Sequence, residues 1–406
     1  RMSAAMPDAD HDRAELPLLV PARPGARDPR AGLSGLAPEA LSAWMVEHHQ
    51  PTYRARQVAD DVWGKSAAGF ETMRTLPAAL RADLAEAFRV ETMAATSFRA
   101  GDGGLTEKAL HTLDDGRLIE SVLMRYPARA GQRERNTVCI SSQAGCAVGC
   151  PFCATGELGF MRDLETAEIV DQVRTWQRRL APEGRRVSNV VFMGMGEPLL
   201  NVERVIAAAE AITDARRFGL GARHVTISTS GVIPGIERLL RDRPQYTLAV
   251  SLHAARPALR DVLVPLNRRY PVLDVVRAAS DYARMTGRRV SYESVMIDGI
   301  NDTLTDAQAM AQLLSGRSAH VNLIPMNPVA HTPWQPSRAE RIAGFAEVLR
   351  SAGVTTTIRR NRGIEIGAAC GQLAAELADM PTPDAIQRRR SRLEAESSAA
   401  LVDVAR

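Results

Sequence analysis

Lysine is all but missing from this chain. Of its 51 basic residues only Lys65 and Lys108 are lysine, and the rest are arginine. Arginine is the residue of phosphate forks and of stacking on bases. A compositional bias of the whole chain explains the same figure as well. Net charge is only +4 and does not by itself demand nucleic acid. No run of about 18 apolar residues occurs, so no membrane span is expected. A charged-then-apolar signal pattern is also absent from the first residues, which makes a cytoplasmic location the expectation. Cysteine is scarce: Cys139, Cys146, Cys150, Cys153 and Cys370. An odd, clustered set in a long chain argues against a disulfide scaffold and for metal-binding or catalytic thiols.

What is present has an ordinary globular balance, 45% hydrophobic and 24% charged. The 406 residues exceed one small domain. Residues 1–35, rich in Pro, Ala, Asp and Arg without periodicity, are expected to be a disordered leader. Residues 36–96 carry helical spacing (Leu41, Trp44, Met45; Val58, Val62, Trp63; Leu80, Leu84, Phe88) and predict a small helical domain. Arg54, Arg56 and Lys65 there could meet phosphates, although exposed basic residues are more often only solvated. Residues 97–135 alternate around turns such as Asp114-Asp115-Gly116 and predict a β-hairpin linker.

From residue 136 to about 380, strand and helix patterns alternate. Strands are expected near 136–141, 188–193, 223–228, 246–252, 289–297, 319–325 and 354–359, with helices between them. This predicts a parallel α/β sheet, open or curled into a partial barrel. Residues 381–406 read as a charged tail. Active sites of such folds lie at the carboxyl ends of the strands, and the unusual residues fall there.

After the first strand comes Cys146-Ala-Val-Gly-Cys150-Pro-Phe-Cys153. Three thiolates from one tight turn are an incomplete set for a structural metal, which takes four. A cubane iron–sulfur cluster held by three would keep one iron open to a small molecule. A zinc knuckle completed by a distant histidine is the competing reading, ahead of unliganded buried thiols. The next strand ends are Met193-Gly-Met-Gly196-Glu197-Pro, Ser228-Thr-Ser230-Gly, Ser251-Leu252-His253 and Pro325-Met-Asn327-Pro. Glu197 suits a ligand ammonium group, the hydroxyls and the His253 imidazole suit a carboxylate or ribose, and Asn327 suits an adenine or a carboxylate. Ser230 reads equally as a helix cap.

The cysteine motif with Phe152 and the Gly-Met-Gly-Glu-Pro loop resemble those of radical S-adenosylmethionine enzymes. The stretches Cys139 to Cys146, Met193 to Leu200, Thr226 to Gly231, Ser251 to His253, Asn322 to Pro325 and Ala368 to Leu373 together resemble the 23S ribosomal RNA adenine C2-methyltransferases. That family also methylates an adenine in certain transfer RNAs. The resemblance runs from about residue 38 to about 380. It implies a partial (β/α)6 radical SAM barrel, preceded by a small RNA-binding helical domain and a β-hairpin linker.

The resemblance also assigns roles. Cys146, Cys150 and Cys153 would ligate one [4Fe–4S] cluster. Gly196, Glu197, Ser228, Ser251, Leu252, His253 and Asn327 would contact S-adenosylmethionine, two of which would be used per turnover. Cys370 would carry the methyl group as a thioether, Cys139 would resolve the enzyme–RNA adduct through a transient disulfide, and Glu120 would accept the C2 proton. An external reductant and a monomeric state go with this reading. Phosphate contacts are expected among Arg223, Arg268, Arg269, Arg288, Arg289, Arg359, Arg360 and Arg362. The rivals are a C8-methylating resistance relative, another radical enzyme such as a glycyl-radical activase, and a zinc-stabilised RNA-binding module without catalysis.

Overall fold

A computed structural model of the chain describes residues 26–373, apart from 130, 132, 243 and 330, together with 391–393, 395 and 396. The ten strands of its main sheet, numbered in chain order, are β1 (Met93–Gly101), β2 (Thr106–Leu113), β3 (Leu118–Tyr126), β4 (Arg135–Cys139), β5 (Asn189–Phe192), β6 (Val225–Thr229), β7 (Thr247–Ser251), β8 (Val290–Met296), β9 (Ala319–Pro325) and β10 (Thr355–Ile358). Their order in space is their order in sequence. β1 to β4 pair antiparallel, and β4 to β10 pair parallel.

That order never reverses, and the reason matters for function. Right-handed crossovers that always step the same way put every connecting helix on one face. A doubly wound sheet would reverse and place helices on both. The six crossovers carry the helices Thr166–Leu180, Val202–Thr213, Ile233–Arg241, Val272–Thr286, Leu304–Leu314 and Ala339–Ser351. Covered on one face, the sheet curls around the other and brings its strand ends to a common rim. The expected strands and helices all form, with ends displaced by a residue or two.

Two expectations are corrected. The leader does not extend to residue 35. Ala31–Gly32 pairs in parallel with Phe88–Arg89, and Leu33 and Ser34 are buried. Gly35 fits there because a side chain would strike the backbone of Ala167. Residues 97–135 are not a hairpin linker: three antiparallel strands continue the catalytic sheet without a break, the first starting already at Met93. Pairing of β3 with β4 gives this segment its place, and alternation alone does not reveal that partner. An unforeseen antiparallel pair, Gln143–Gly145 with Phe160–Asp163, brackets the three-cysteine turn. Of the expected tail, most lies outside the described residues, and 391–393 are helical.

The helical domain comprises Pro38–Glu47, Tyr53–Ala59 and Ala78–Ala87, with Met45, Val58, Leu80 and Leu84 fully buried. It is locked to the barrel by Arg174, on the first crossover helix. The Arg174 guanidinium is buried and donates to the carbonyls of Val62 (3.1 Å), Ala67 (2.5 Å) and Val90 (2.7 Å) and to Asp171 (2.5 Å). Asp171 in turn accepts from the backbone N–H and hydroxyl of Thr92. Breaking such a pair leaves a buried charge uncompensated. Arg174→Ala is therefore expected to cost about 3–5 kcal/mol, measured by denaturant unfolding, and to expose residues 60–92 to limited proteolysis. A loss no greater than that of a surface substitution would show that the domain is held by apolar packing alone.

Candidate active site

The loop after β4 and the loop after β5 are knitted together. Ser142 N–H donates to the Met195 carbonyl (2.9 Å), Met195 N–H to Ser141 Oγ (2.8 Å), and Glu197 N–H to Gln143 Oε1 (2.8 Å). The two glycines are a steric demand. A Cβ at Gly194 would lie 2.7 Å from the Ile140 carbonyl, and one at Gly196, whose φ is +100°, 2.5 Å from Gln143 Cβ. Gly145 (φ +73°) and Gly149 (φ +70°) then turn the chain through the three-cysteine loop, and Cys146 N–H donates to Gly159 across the small hairpin.

An inner chamber at the rim is lined by Cys146, Cys150, Cys153, Phe152, Gly196, Glu197, Ser228, Ser230, Ser251, His253, Glu293, Asn327 and Cys370, among others. Leu252 is buried behind this wall, donating its N–H to the Glu293 carbonyl. Burial pushes the thiols of Cys146 (to about 12), Cys150 and Cys153 upward, so they are neutral unless a metal takes the proton's place. Among the described residues no three His, Cys, Asp or Glu side chains converge tightly enough to share one metal ion.

Cys370 sits where two cavities meet. The loop that carries it is tied down on the cysteine turn: Ala154 N–H donates to Gly371 O (2.7 Å) and Thr155 Oγ1 to Leu373 O (2.6 Å). Asn327 Nδ2 donates to Cys370 O (2.9 Å). On its other side Cys370 lines an outer cleft of about 500 Å3, together with Cys139, Val122, Met124, Tyr126, Arg129, Arg135, Arg359, Arg360 and Arg362. Two regions 231 positions apart, Cys139 and Cys370, thus share one cleft, and both are free thiols.

The comparisons with known proteins agree with this geometry. Residues 140–311 match the radical SAM superfamily, and residues 31–90 match the ribosomal RNA large subunit methyltransferase N-terminal domain. A probable dual-specificity RNA methyltransferase RlmN of Thermobifida fusca is 47% identical, covering 89% of this chain and 99% of that protein. One from Parafrankia is 48% identical over 89% and 96%. The crystal structure of a radical SAM methyltransferase from Sphaerobacter thermophilus is 44% identical, with a TM-score of 0.81, covering 85% of this chain and all of that one. The chain belongs to the RlmN family of radical SAM RNA methyltransferases.

Membership implies a [4Fe–4S] cluster and S-adenosylmethionine, and the inner chamber fits both. Three thiols that face one space without meeting at a point suit a cubane, which offers each thiolate its own iron; a zinc site needs four donors at one centre. Asn327 Oδ1 is buried at the chamber wall without a partner, an acceptor for a ligand amine. Glu197 accepts from the N–H groups of Leu199 (3.0 Å) and Ser230 (2.6 Å), which orient its carboxylate. Burial still raises its pKa.

Several placements refine the sequence reading. Ser230 is not a helix cap; Thr229 Oγ1 takes the N–H groups of Gly231 (3.0 Å) and Val232 (3.1 Å) instead. Glu120 lies on β3, is 1% exposed, lines neither cavity and pairs with Lys108 at 2.8 Å. Arg359, Arg360 and Arg362 line the outer cleft. Arg288 and Arg289 line a polar space of about 910 Å3 lower in the barrel, and Arg223, Arg268 and Arg269 line none of these. Lys65 is paired with Asp61 (2.5 Å).

Glu293 and Arg260 were missed. Glu293 accepts from Ser291 Oγ (2.8 Å) and Asn322 Nδ2 (2.8 Å) beside Arg359. Polar residues at alternate positions of β8 and β9 were the available signal, because a strand buried on both faces should be apolar throughout.

His253 accepts the Val295 N–H at Nδ1 (3.1 Å), which leaves its proton on Nε2. Burial, and the charge of Arg260, hold its pKa down to about 3. The folded value lies below the unfolded one, so between about 6.5 and about 3 the unfolded chain binds the extra proton and stability falls as pH falls. His111, buried and likewise lowered to about 3, adds a second such proton. His253→Asn keeps an acceptor and tolerates the positive φ of 59°. It is expected to make the acid decline shallower by one proton in denaturation curves taken across that window; an unchanged slope would mean that His253 is already charged in the fold.

Proposed function

We propose that this enzyme places a methyl group on C2 of an adenine in 23S ribosomal RNA and in transfer RNA, through a methyl-bearing Cys370. One observation carries the reading: Cys370 forms part of the wall between the thiol-lined inner chamber and an arginine-lined cleft that also holds Cys139. A carrier of carbon from cofactor to base needs that position.

In this reading Cys146, Cys150 and Cys153 hold the cluster. Gly196, Glu197, Ser228, Ser251, Leu252, His253 and Asn327 hold S-adenosylmethionine, two molecules per turnover. When bound, the pair supplies the one-electron chemistry that an electron-poor ring carbon requires. With S-adenosylmethionine bound, Cys370 would be the thiol that takes its methyl group, losing its own proton first and leaving the donor as a neutral thioether. Arg359 lines the same cleft. Burial works against its charge, but Cys370, Glu293, Tyr126 and Cys139 together hold its pKa above the usual guanidinium value.

After the carbon has joined C2, the adduct would give up one electron to the bound cluster and Glu120 would accept the C2 proton, restoring the ring. Cys139 thiolate then attacks Cys370 sulfur: the S–S bond forms as the S–CH2 bond breaks, the departing carbon keeps that electron pair and takes up a proton to become the methyl group, and an outside dithiol reduces the disulfide. Burial pushes the Cys139 thiol to about 12, so the attack awaits a nearby base or the opening of the cleft.

The outer cleft suits RNA. Tyr126 is sandwiched between Arg135 (4.2 Å) and Arg362 (4.3 Å), which stiffens the basic wall. Unstacking a base costs a few kcal/mol, and phosphate contacts from the arginines would offset it. The helical domain, with Arg54 and Arg56, serves as the RNA-binding accessory. The enzyme acts as a monomer in the cytoplasm with an external electron donor; among the described residues no helix is long and apolar enough to cross a membrane.

Anaerobic reconstitution with iron and sulfide, then incubation with an unmodified RNA fragment, S-adenosylmethionine and reductant, should yield 2-methyladenosine by mass spectrometry. An 8-methyladenosine product would overturn the assignment to C2. Cys370→Ala should abolish methylation yet leave reductive cleavage of S-adenosylmethionine intact, whereas Cys139→Ala should trap RNA on the protein in a denaturing gel.

Replacing Glu120 by Gln tests the base. Methylation should drop by about 10²–10⁴-fold with cofactor cleavage retained. A drop below tenfold would leave the carboxylate as only the partner of Lys108.

A further inference from the structure

We propose that Arg260 is the positioning residue of the inner chamber, bracing the backbone that frames S-adenosylmethionine and supplying the fixed positive charge that favours one-electron reduction of the thiolate-bound centre. The proposal rests on the cluster reading above.

Arg260 lies in the short helix Pro257–Leu263 after β7, and none of its surface is exposed. Its guanidinium is spent almost wholly on backbone. Nε donates to Leu252 O (3.0 Å), and Nη2 to Ser230 O (2.7 Å) and Ser251 O (3.3 Å). The fourth bond, Nη1 to Asn267 Oδ1 (2.9 Å), goes to an amide. One planar fork therefore holds the ends of two adjacent strands, β6 and β7, in the segments Thr229–Ser230 and Ser251–Leu252. Those segments carry the chamber's hydroxyls and lead into His253. An ammonium group cannot span the same carbonyls from fixed directions.

Among the described residues no carboxylate is bonded to the Arg260 charge. The adjacent acid, Asp261, is engaged by Asn267 Nδ2 (2.5 Å), so the amide stands between acid and guanidinium. A buried cation bonded only to neutral groups is costly, and an anion opposite would offset that cost. The carbonyls that Arg260 holds include those of Ser230 and Ser251, which line the same chamber as Cys150. Three thiolates around iron, with Glu197 on the same wall, make the chamber anionic, and each added electron makes it more so. Net charge and hydrogen bonding set the potential of such centres. A fixed cation behind the wall formed by Ser230 and Ser251 stabilises the reduced form more than the oxidised one.

The test uses the full chain reconstituted anaerobically with iron and sulfide. Its readouts are a potentiometric titration followed by electron paramagnetic resonance and the equilibrium binding of S-adenosylmethionine. Arg260→Gln should lower the reduced-to-oxidised ratio at a fixed potential about tenfold, a shift of about 59 mV to lower potential for one electron, and weaken cofactor binding. Arg260→Lys should keep the potential near wild type and still weaken binding, because the charge stays and the fork is gone. The double exchange Asp261→Asn with Asn267→Asp puts a carboxylate directly on the guanidinium at unchanged net charge, and it should lower the potential as Arg260→Gln does. A loaded Arg260→Gln or exchange variant with an unshifted potential would overturn the proposal. So would failure of all three variants to take up iron when the wild type does, since Arg260 would then serve folding alone. A wild-type chain that binds no iron and sulfide would instead defeat the cluster reading.

Discussion

The contact between the Cys370 loop and the three-cysteine turn is the constraint on which the rest depends. Gly371 and Leu373 present carbonyls to Ala154 and Thr155, and a side chain at Gly371 would press on the Phe152 carbonyl at 3.1 Å. These bonds join the last loop of the barrel to the first. They close the inner chamber and leave Cys370 between two spaces. The same loop is held from behind: Gly363 N–H donates to Asp102 Oδ2 (2.8 Å), Arg362 to the Arg125 carbonyl (2.9 Å), and Asn361 to Pro325 O (2.9 Å). Left-handed glycines at 363, 367 and 371 allow the chain to turn between these anchors.

A second theme is the use of buried arginine as backbone glue. Arg174 gathers the carbonyls of three segments and couples the helical domain to the barrel. Arg260 gathers the ends of two strands around the inner chamber. In both places loop carbonyls would otherwise be buried without donors, at a cost of about 1–3 kcal/mol each. A guanidinium has five N–H groups in a rigid plane and satisfies several at once. An arginine-rich, lysine-poor composition therefore serves the interior as well as the outer cleft.

The antiparallel strands β1 to β3 explain how one sheet can frame both the inner chamber and the outer cleft. A closed barrel would bury its first and last strands against each other. Here β4 pairs with β3 instead, so the rim stays open between β3 and β10. The outer cleft occupies that gap, with Val122, Met124 and Tyr126 on one side and Arg359 to Arg362 on the other. Glu120 lies on the same strand as the first group, two positions from Val122, which pairs with Cys139.

Much was legible without coordinates. The period of the apolar residues fixed the order of strands and helices, because burial of one helix face or strand run leaves a local pattern. The strand-end motifs were legible for the same reason: each is a short stretch whose glycines, thiols or hydroxyls are wrong for plain structure. Long-range pairing was not legible. Alternation in residues 97–126 announces strands without naming their neighbour, and Ala31–Gly32 is too short to leave any pattern. Arg260 and Glu293 were hidden because a lone charged residue inside a helix or strand looks like a solvated face until its burial is known. The chain's order thus determined which groups reach the rim, through periodicities that act over a few residues. Only the tertiary fold decided that Cys139 and Cys370 share a cleft, that Cys370 stands between two chambers, and that a buried guanidinium braces the strand ends at Ser230 and Ser251. Those facts depend on contacts between residues far apart in sequence, whose energy no local pattern records.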